Sequence, residues 1–294
     1  MKFSILTATY NRAGYLNRLY ESIKKNISEN YDIEWLIMDD GSDDGTKEIC
    51  DKLKQDQEIE IKYFFQENSG KMKAINKLSD YVCGELWIEC DSDDYFVENT
   101  FRGILDEYNK IKEKENIYAL AYLKRDQDGN NMGKKFNFQE STMFDLYFKE
   151  GEDGEKALVF ISDIRKQYRY ELEENERFIT ESRMYHKMDK EYKIKCINQY
   201  IMVCEYQKDG YTKNIRNQFL KYPKGYYMYF YEILHDMNMS SVKFSKRIYA
   251  IKHYILFTYL TQKKLDLGVK GIRNKILILL LYVPGILKSK KFKR

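Results

Sequence analysis

The chain has few of the residues from which zinc sites and disulfide frameworks are built. Its five cysteines include no CxxC pair and no zinc-ligand spacing: Cys50, Cys83, Cys90, Cys196 and Cys204. This pattern predicts buried free thiols, as in proteins of a reducing cytoplasm. The histidines are fewer still and are scattered, so we expect structural or surface roles for all of them: His186, His235 and His253.

The net charge of the chain is also small. Fifty Lys and Arg against 46 Asp and Glu leave a formal charge of +4, too small an excess to indicate a nucleic-acid partner. With 294 residues, 43% of them hydrophobic, the chain can bury a large core, and we do not expect disorder. The first residues, MKFSILTATYNR, enter a strand without a charged segment followed by a long apolar run, so we expect no signal peptide.

Short apolar runs alternate with segments of helical periodicity in the first half. The strand-like runs are 3–8, 33–39, 59–65, 84–90 and 117–123. The segments between them carry apolar residues at helical spacing. This alternation predicts a layered α/β domain with a mostly parallel sheet, in which ligands bind beyond the carboxyl ends of the strands.

Polar clusters follow three of these strands: TATYNR (7–12), DDGSDDGT (39–46) and CDSDDYF (90–96). The second cluster is equally typical of turns and helix caps. The third concentrates three like charges, Asp91, Asp93 and Asp94, which costs free energy unless a cation or solvent offsets it. Carboxylates without nearby His or Cys favour Mg²⁺ or Mn²⁺, and such an ion could hold a diphosphate.

No phosphate-binding GxxxxGK[ST] or GxGxxG loop is present. In order and spacing, the strand-end motifs together with ENSGKMKAINK (67–77) resemble the family 2 glycosyltransferases of the GT-A fold. The resemblance is strong over about the first 125 residues and implies a GT-A domain, Rossmann-like, with a C-terminal helical extension. It divides the chain into a nucleotide-sugar-binding half (1–125), an acceptor-side half (126–211) and a helical, basic region (212–294).

The resemblance also implies the residues of the donor site. Asp40 would accept a hydrogen bond from the base, usually uracil, while Asp39 orients the turn. Lys71 or Lys73 could approach the phosphates, although a solvated helix face is an equally good interpretation. The implied metal is Mn²⁺ or Mg²⁺, with ligands among Asp91, Asp93 and Asp94. The implied donor-binding residues are Thr7, Ala8, Thr9, Tyr10, Asn11, Asp39, Asp40, Gly41, Gly70, Lys71, Asp91 and Ser92.

The acceptor half carries one candidate general base. Residues 176–199 resemble the F-x-x-E version of the family's acidic motif, and CEYQKDGYT (204–212) is also in the style of bacterial polysaccharide enzymes. This makes Glu181 the candidate, with Thr180 as the expected helix N-cap. A glutamate in the first helical turn is favoured by the helix dipole alone, so the placement has a structural interpretation too.

The implied activity is inverting transfer of one sugar from a nucleotide-sugar donor, a UDP-sugar, to a hydroxyl of a glycan or lipid-linked acceptor in bacterial polysaccharide synthesis. A sugar-nucleotide nucleotidyltransferase would be expected to open with a glycine-rich G-x-G-T-R-like loop, which TATYNR is not. A non-catalytic carbohydrate-binding protein would tolerate loss of the aspartates, and all three remain.

The C-terminal region combines aromatic, aliphatic and basic residues. Its most apolar run, ILILLLYV (276–283), is too short to span a bilayer. It could lie in the headgroup region with Lys288, Lys290, Lys291, Lys293 and Arg294 near anionic lipids, or belong to a packed helical subdomain. We expect a cytoplasmic protein, peripheral on the inner face of the cell membrane.

Overall fold

The structure is a computed structural model that describes residues 1–111, 113, 115–205 and 215–293. The chain forms two compact units. Unit 1 contains residues 1–142, 153–170 and 187–206, and unit 2 contains 143–152, 171–186 and 207–294. Segments 143–152 and 171–186 therefore group with the C-terminal helices, although the sequence prediction placed them in the acceptor-side half. The predicted boundary at 211–212 lies outside the described residues.

Unit 1 is built on one mixed sheet of nine strands with the order β3-β2-β1-β4-β8-β6-β9-β5, and β7 pairs with β9. The strands are β1 Lys2–Thr9, β2 Asp32–Asp39, β3 Glu60–Phe65, β4 Leu86–Glu89, β5 Tyr95–Phe96, β6 Ile117–Asp126, β7 Glu140–Ser141, β8 Lys156–Ile161 and β9 Lys193–Cys204. The side chains of β1 and β2 are buried almost without interruption, as expected of strands covered on both faces.

The sheet is parallel only in part, which corrects the predicted mostly parallel sheet. Strands β3, β2, β1 and β4 run parallel, as the alternating pattern predicted. Strand β8 then lies antiparallel between β4 and β6, and β5 and β7 pair antiparallel with β9. All of these antiparallel pairs involve β8 or β9, which lie beyond the segment where the sequence pattern was interpreted.

The described helices flank this sheet or build unit 2. They are α1 Ala13–Lys24, α2 Thr46–Lys54, α3 Lys71–Leu78, α4 Thr100–Asn109, α5 Met143–Asp145, α6 Ser162–Arg165, α7 Ser182–Met188, α8 Ile215–Lys221, α9 Pro223–His235, α10 Phe244–Leu260 and α11 Ile272–Lys293. A 3₁₀ turn, Ser79–Tyr81, follows α3, and a π-helical turn, Leu146–Glu150, follows α5. None of the described helices is long and apolar enough to cross a bilayer.

Each unit has its own core. In unit 1, Trp35 is fully buried and its indole N–H donates to Thr7 Oγ1 at 2.9 Å, which satisfies the one polar atom of its ring system. In unit 2 the core is aromatic: Phe230 stacks on Phe257 with ring centroids 5.8 Å apart, and Tyr226 stacks on the same ring at 5.2 Å. Such pairs add to the stabilisation that burial alone provides.

Candidate active site

The predicted strand-end segments meet at one edge of unit 1. Strands β1, β2 and β4 are parallel neighbours, so the loops after Thr9, Asp39 and Glu89 leave the sheet on the same side. At the end of β1, the Thr9 hydroxyl is buried and has no hydrogen-bond partner among the described residues. A buried hydroxyl of this kind is usually satisfied by a ligand or by water.

Hydrogen bonds lock the first two loops together. The backbone N–H of Asn11 donates to Ser42 Oγ at 2.9 Å, and Asn11 Oδ1 accepts from the backbone N–H of Asp43 at 3.0 Å. Asn11 has φ +51°, a left-handed conformation that asparagine tolerates better than most residues. Tyr10 lies beside this junction with about half of its side chain exposed. The two loops thus form one wall.

Asp39 shapes the turn that follows β2. Its Oδ1 accepts the backbone N–H of Ser42 at 2.8 Å, and its Oδ2 accepts the hydroxyl of Tyr63 on β3 at 2.8 Å. Gly41 follows with φ +87°, and a Cβ there would lie 2.9 Å from the backbone nitrogen of Asn68. Only glycine fits this position, because both the backbone conformation and the close approach exclude a side chain.

Asp40 is buried and holds the loop that precedes α3. Its Oδ1 accepts the Gln66 side-chain amide at 2.6 Å and the Ser69 backbone N–H at 2.8 Å, and its Oδ2 accepts the Gly70 backbone N–H at 2.8 Å. The Ser69 hydroxyl also lies 3.5 Å from Oδ1, whereas Oδ2 has only the Gly70 contact among the described residues, so Oδ2 leaves room for an N–H from a nucleotide base. The proposed acceptor for the base is therefore also a structural anchor.

The first two aspartates of the DSDD motif lie in different electrostatic surroundings. Asp91 is about half exposed, and its Oδ1 lies 2.6 Å from the ammonium of Lys71, the first residue of α3. Burial, followed by the charges of Asp91 and Asp94, raises the pKa of Asp93 to about 6. The backbone carbonyl of Asp93 accepts a hydrogen bond from Arg18 at 2.6 Å. Negative charge at Asp93 is therefore under-compensated.

Asp94 faces the interior of unit 1. Its Oδ2 lies 3.3 Å from the ammonium of Lys124 and accepts the thiol of Cys204 at 3.0 Å. Burial raises the pKa of Asp94 despite the nearby positive charge. For Lys124, burial alone would lower the pKa, but the charges of Asp94 and of the groups around it together outweigh burial and raise that pKa well above its ordinary value. We interpret the two as a buried ion pair.

These surroundings decide which aspartates fit the divalent ion that the sequence motif implies. Among the described residues, no group of three or more His, Cys, Asp or Glu side chains is arranged to hold a metal ion. Asp91 and Asp93 fit, since their hard oxygens suit Mg²⁺ or Mn²⁺ and the raised pKa of Asp93 marks a place where a cation would relieve repulsion. Asp94 contacts Lys124 and Cys204, and its part in holding a metal stays a prediction.

Among the other predicted donor residues, Thr7 is fully buried in β1 with its hydroxyl bound to Trp35, and Ala8 follows it in the same strand. Ser92 is buried between Asp91 and Asp93, and Gly70, with φ +99°, directly precedes α3. Lys73 is exposed, in keeping with a solvated helix face, whereas Lys71 is ion-paired with Asp91.

An arginine that the sequence analysis missed supports the end of β4. Arg165 is fully buried and donates to Glu89 Oε1 at 2.8 Å, while the hydroxyl of Tyr170 donates to Glu89 Oε2 at 2.7 Å. The guanidinium lies 4.4 Å from the ring of Trp87. No local pattern could indicate this cluster, because Arg165 and Tyr170 lie 76 and 81 positions from Glu89 in the sequence.

Glu181, the candidate base, lies in unit 2. Helix α7 begins at Ser182, so Glu181 directly precedes the helix, whereas the sequence analysis expected Thr180 as the N-cap. The Glu181 carbonyl accepts the backbone N–H groups of Met184 at 3.0 Å and Tyr185 at 3.2 Å, as an N-cap residue does. The offset of one residue is within the usual scatter of helix boundaries, and the catalytic role of Glu181 stays a prediction.

The sequence and the fold both resemble known glycosyltransferases. The sequence model of the family described as Glycosyl transferase family 2 matches residues 4–172. The minor teichoic acid biosynthesis protein GgaA of Bacillus subtilis is 32% identical over 139 residues, which are 46% of this chain and 31% of GgaA. The chain spans less than half the length of the curated relatives that it matches first.

Two solved structures share the fold. Staphylococcus aureus TarS 1–349 in complex with UDP-GlcNAc has a TM-score of 0.60 at 16% identity, covering 99% of this chain and 81% of that one. The mannosyltransferase PcManGT from Pyrobaculum calidifontis, in complex with GDP-Man and Mn²⁺, has a TM-score of 0.58 at 14% identity, covering 99% and 84%. At these identities the likeness concerns the fold, and it confirms the expected GT-A fold.

The anchoring role of Asp40 predicts a loss of stability as well as of nucleotide affinity. Asp40→Asn turns an NH₂ group toward loop N–H donors, and Asp40→Ala removes the acceptors. Either should lower the free energy of unfolding by about 1–3 kcal/mol and weaken UDP binding by a similar amount. Urea denaturation and calorimetry measure the two effects.

Gln66→Met, which removes one loop contact but keeps the carboxylate of Asp40, is the control. If it weakens UDP binding as much as Asp40→Ala, Asp40 acts only through the loop.

The buried pair of Lys124 and Asp94 predicts strong coupling between two substitutions. Lys124→Met leaves a buried carboxylate without its partner and should cost about 3–5 kcal/mol of stability. Lys124→Met combined with Asp94→Asn removes both charges and should recover most of that loss. Urea unfolding of the wild type, both single variants and the double variant gives the coupling energy. Additive effects of the two substitutions would contradict the pairing.

Proposed function

The chain belongs to glycosyl transferase family 2, and on that premise we propose that it transfers one sugar from a UDP-sugar to an acceptor hydroxyl. The observation that carries this proposal is the strand-end edge of unit 1. There the buried carboxylates of Asp39 and Asp40 fix the loops after β2 and before α3, and Asp91 and Asp93 follow β4, which pairs with β1. The family match also favours transfer over the nucleotidyltransferase alternative.

We place the nucleoside of the donor against the wall formed by the first two loops. Tyr10 supplies an exposed ring at this wall, and Asp40 and the buried hydroxyl of Thr9 supply polar contacts. The diphosphate would then extend toward Asp91 and Asp93, which follow β4, with Lys71 as the adjacent cation. The TarS complex contains UDP-GlcNAc, which supports a uridine nucleotide here.

We further propose that Asp91 and Asp93 hold a divalent cation, Mn²⁺ or Mg²⁺. The PcManGT complex contains Mn²⁺, which supports this assignment. When bound, such an ion supplies positive charge that stabilises the departing diphosphate. Without it, Lys71 is the described cation nearest to Asp91, at 2.6 Å. The protein's own part is to hold the carboxylates in place through Arg18, which binds the Asp93 carbonyl, and through Lys71.

The proposed reaction is a single displacement. The acceptor hydroxyl attacks the anomeric carbon from the side opposite the nucleotide, so the configuration at that carbon inverts. Glu181 would accept the proton of the hydroxyl as general base. No covalent intermediate is needed, and the ammonium of Lys71 would offset part of the negative charge that develops on the leaving diphosphate.

The acceptor is proposed to be a glycan or a lipid-linked oligosaccharide in bacterial polysaccharide synthesis. GgaA, by its name, belongs to teichoic acid biosynthesis, which supports a cell-surface polymer as the product class. We also propose that the protein works at the inner face of the cell membrane. The support is the basic, aromatic C-terminal region, where the last residues from 288 to 294 include five Lys and Arg.

A donor screen by thermal unfolding tests the nucleotide assignment. Ligands that bind the native state raise its stability by mass action, by about 2.7 kcal/mol at a hundred times Kd. We expect one UDP-sugar to raise the melting temperature most, and EDTA to reduce that rise. GDP- and CDP-sugars serve as controls. Equal stabilisation by all nucleotides, or by none, would contradict a UDP-sugar donor.

Replacement of Glu181 tests the proposed base. Glu181→Gln keeps size and most hydrogen bonding but cannot accept a proton, so transfer should fall by roughly 10²–10⁴-fold with nucleotide affinity unchanged. If Glu181 serves only the helix dipole, stability falls by about 0.3–1 kcal/mol and the rate per folded molecule stays the same. Turnover and melting temperature are measured on one preparation, with the exposed Glu21→Gln as control. A stable, active variant redirects the search to Asp163, Glu173 or Glu174.

A further inference from the structure

Helix α11 presents a row of large apolar side chains to solvent. Six of them are between 50% and 69% exposed, and together they define the outer face of α11: Ile272, Ile276, Leu279, Leu280, Val283 and Leu287. Their spacing places them on one side of the helix. At 1.5 Å per residue the outer face is about 22 Å long. Contiguous apolar surface of this kind usually marks a binding surface.

The opposite side of α11 is fixed by packing within unit 2. Ile278 is fully buried, and the side chain of the buried Asn274 accepts a hydrogen bond from Arg247 at 2.5 Å. A Cβ on Gly285 would lie 2.8 Å from Ile255 on α10, so the two helices approach closely there. These contacts set the rotation of α11, and the outer face points away from the core of unit 2.

Positive charge brackets the outer face at both ends. Residues 267–294 contain no Asp or Glu and eight Lys or Arg, three of them at 270–275 and five at 288–294. Among those whose side chains the structure describes, the exposed ones are Lys270, Arg273, Lys288 and Lys290. Between 276 and 287 there is no charged residue. An apolar centre with basic ends complements a bilayer surface that carries anionic lipids.

We propose that α11 lies parallel to the surface of a bilayer containing anionic lipids, with its outer face in the boundary between headgroups and acyl chains. This inference rests on the proposed function, which places the protein at the inner face of the cell membrane, and it identifies the outer face of α11 as the surface that contacts the lipids. Insertion across the bilayer is excluded because no described helix is long and apolar enough. The inward side chains, Ile278 among them, stay in the core of unit 2.

The charge pattern argues against a second copy as the occupant. Two α11 helices packed through their outer faces, parallel or antiparallel, would bring basic ends together in either arrangement. No acidic residue between 267 and 294 could compensate. The basic ends would then repel each other, and only anions from outside the two helices could neutralise them. Anionic headgroups supply that compensation directly.

A tryptophan reporter tests insertion of the outer face. The two native tryptophans, Trp35 and Trp87, are fully buried and give a constant background. In the Leu280→Trp variant of the full chain, we expect a blue shift of the added fluorescence and quenching by brominated acyl chains. Both should occur with vesicles of phosphatidylcholine and phosphatidylglycerol, and only weakly with phosphatidylcholine alone. No shift with either vesicle would overturn the proposal.

Sedimentation with the same vesicles tests which residues carry the affinity. Leu280→Gln/Leu287→Gln should weaken binding to anionic vesicles by about tenfold or more, because two exposed leucines no longer enter the acyl boundary. Lys288→Gln/Lys290→Gln should weaken it by between about tenfold and a hundredfold at low salt. Ile27→Gln, which removes an exposed apolar side chain of unit 1, is the matched control and should change nothing.

Two results would overturn the proposal. One is vesicle binding that survives the leucine substitutions. The other is a concentration-dependent dimer in sedimentation velocity that the same substitutions abolish, which would make a second copy the occupant. UDP binding, measured on each variant, keeps this test separate from the proposed function: vesicle binding without UDP affinity would contradict the donor site and leave the membrane contact standing.

Discussion

The candidate site depends on how one buried negative charge, that of Asp40, is stabilised. Burial of a carboxylate is costly unless hydrogen bonds replace its hydration. Here a side-chain amide and two backbone N–H groups of the loop at 66–70 supply them. The loop is thereby fixed to the end of β2, and α3 starts directly after it with Lys71. Lys71 then meets Asp91 at 2.6 Å. The groups proposed to bind the base and the phosphates are thus connected through a single carboxylate.

Asp93 and Asp94 are adjacent in the sequence, but their surroundings in the structure differ. Asp94 lies 3.3 Å from Lys124 inside unit 1, so the protein itself supplies a cationic partner for it. Asp93 carries the under-compensated charge, and its raised pKa reflects burial and the proximity of the other two carboxylates. This difference is the reason for placing the proposed cation site at Asp91 and Asp93. The DSDD motif alone could not make that distinction.

Much of unit 1 could be predicted because its signals are local. Apolar runs mark β1, β2, β3, β4 and β6, and polar clusters mark where three of them end. The parallel order then brings those ends together. What the sequence could not supply are contacts between distant positions. Cys204 reaches Asp94 across 110 positions, and Arg165 reaches Glu89 across 76. The antiparallel insertion of β8 likewise has no local signal, because strand direction is decided by connections and not by composition.

The orientation of helix α11 is another feature that a local sequence pattern could not indicate. The run at 276–283 is apolar all round, so periodicity predicts a helix there but cannot tell which face is buried. Packing decides which face is buried. Gly285, which has no side chain, lies against Ile255, and the side chain of Asn274 accepts a hydrogen bond from Arg247. Once these contacts orient the helix, the side chains of its outer face remain exposed to solvent. A solvent-facing surface of this kind is costly in water, and its cost falls only when another apolar phase covers it.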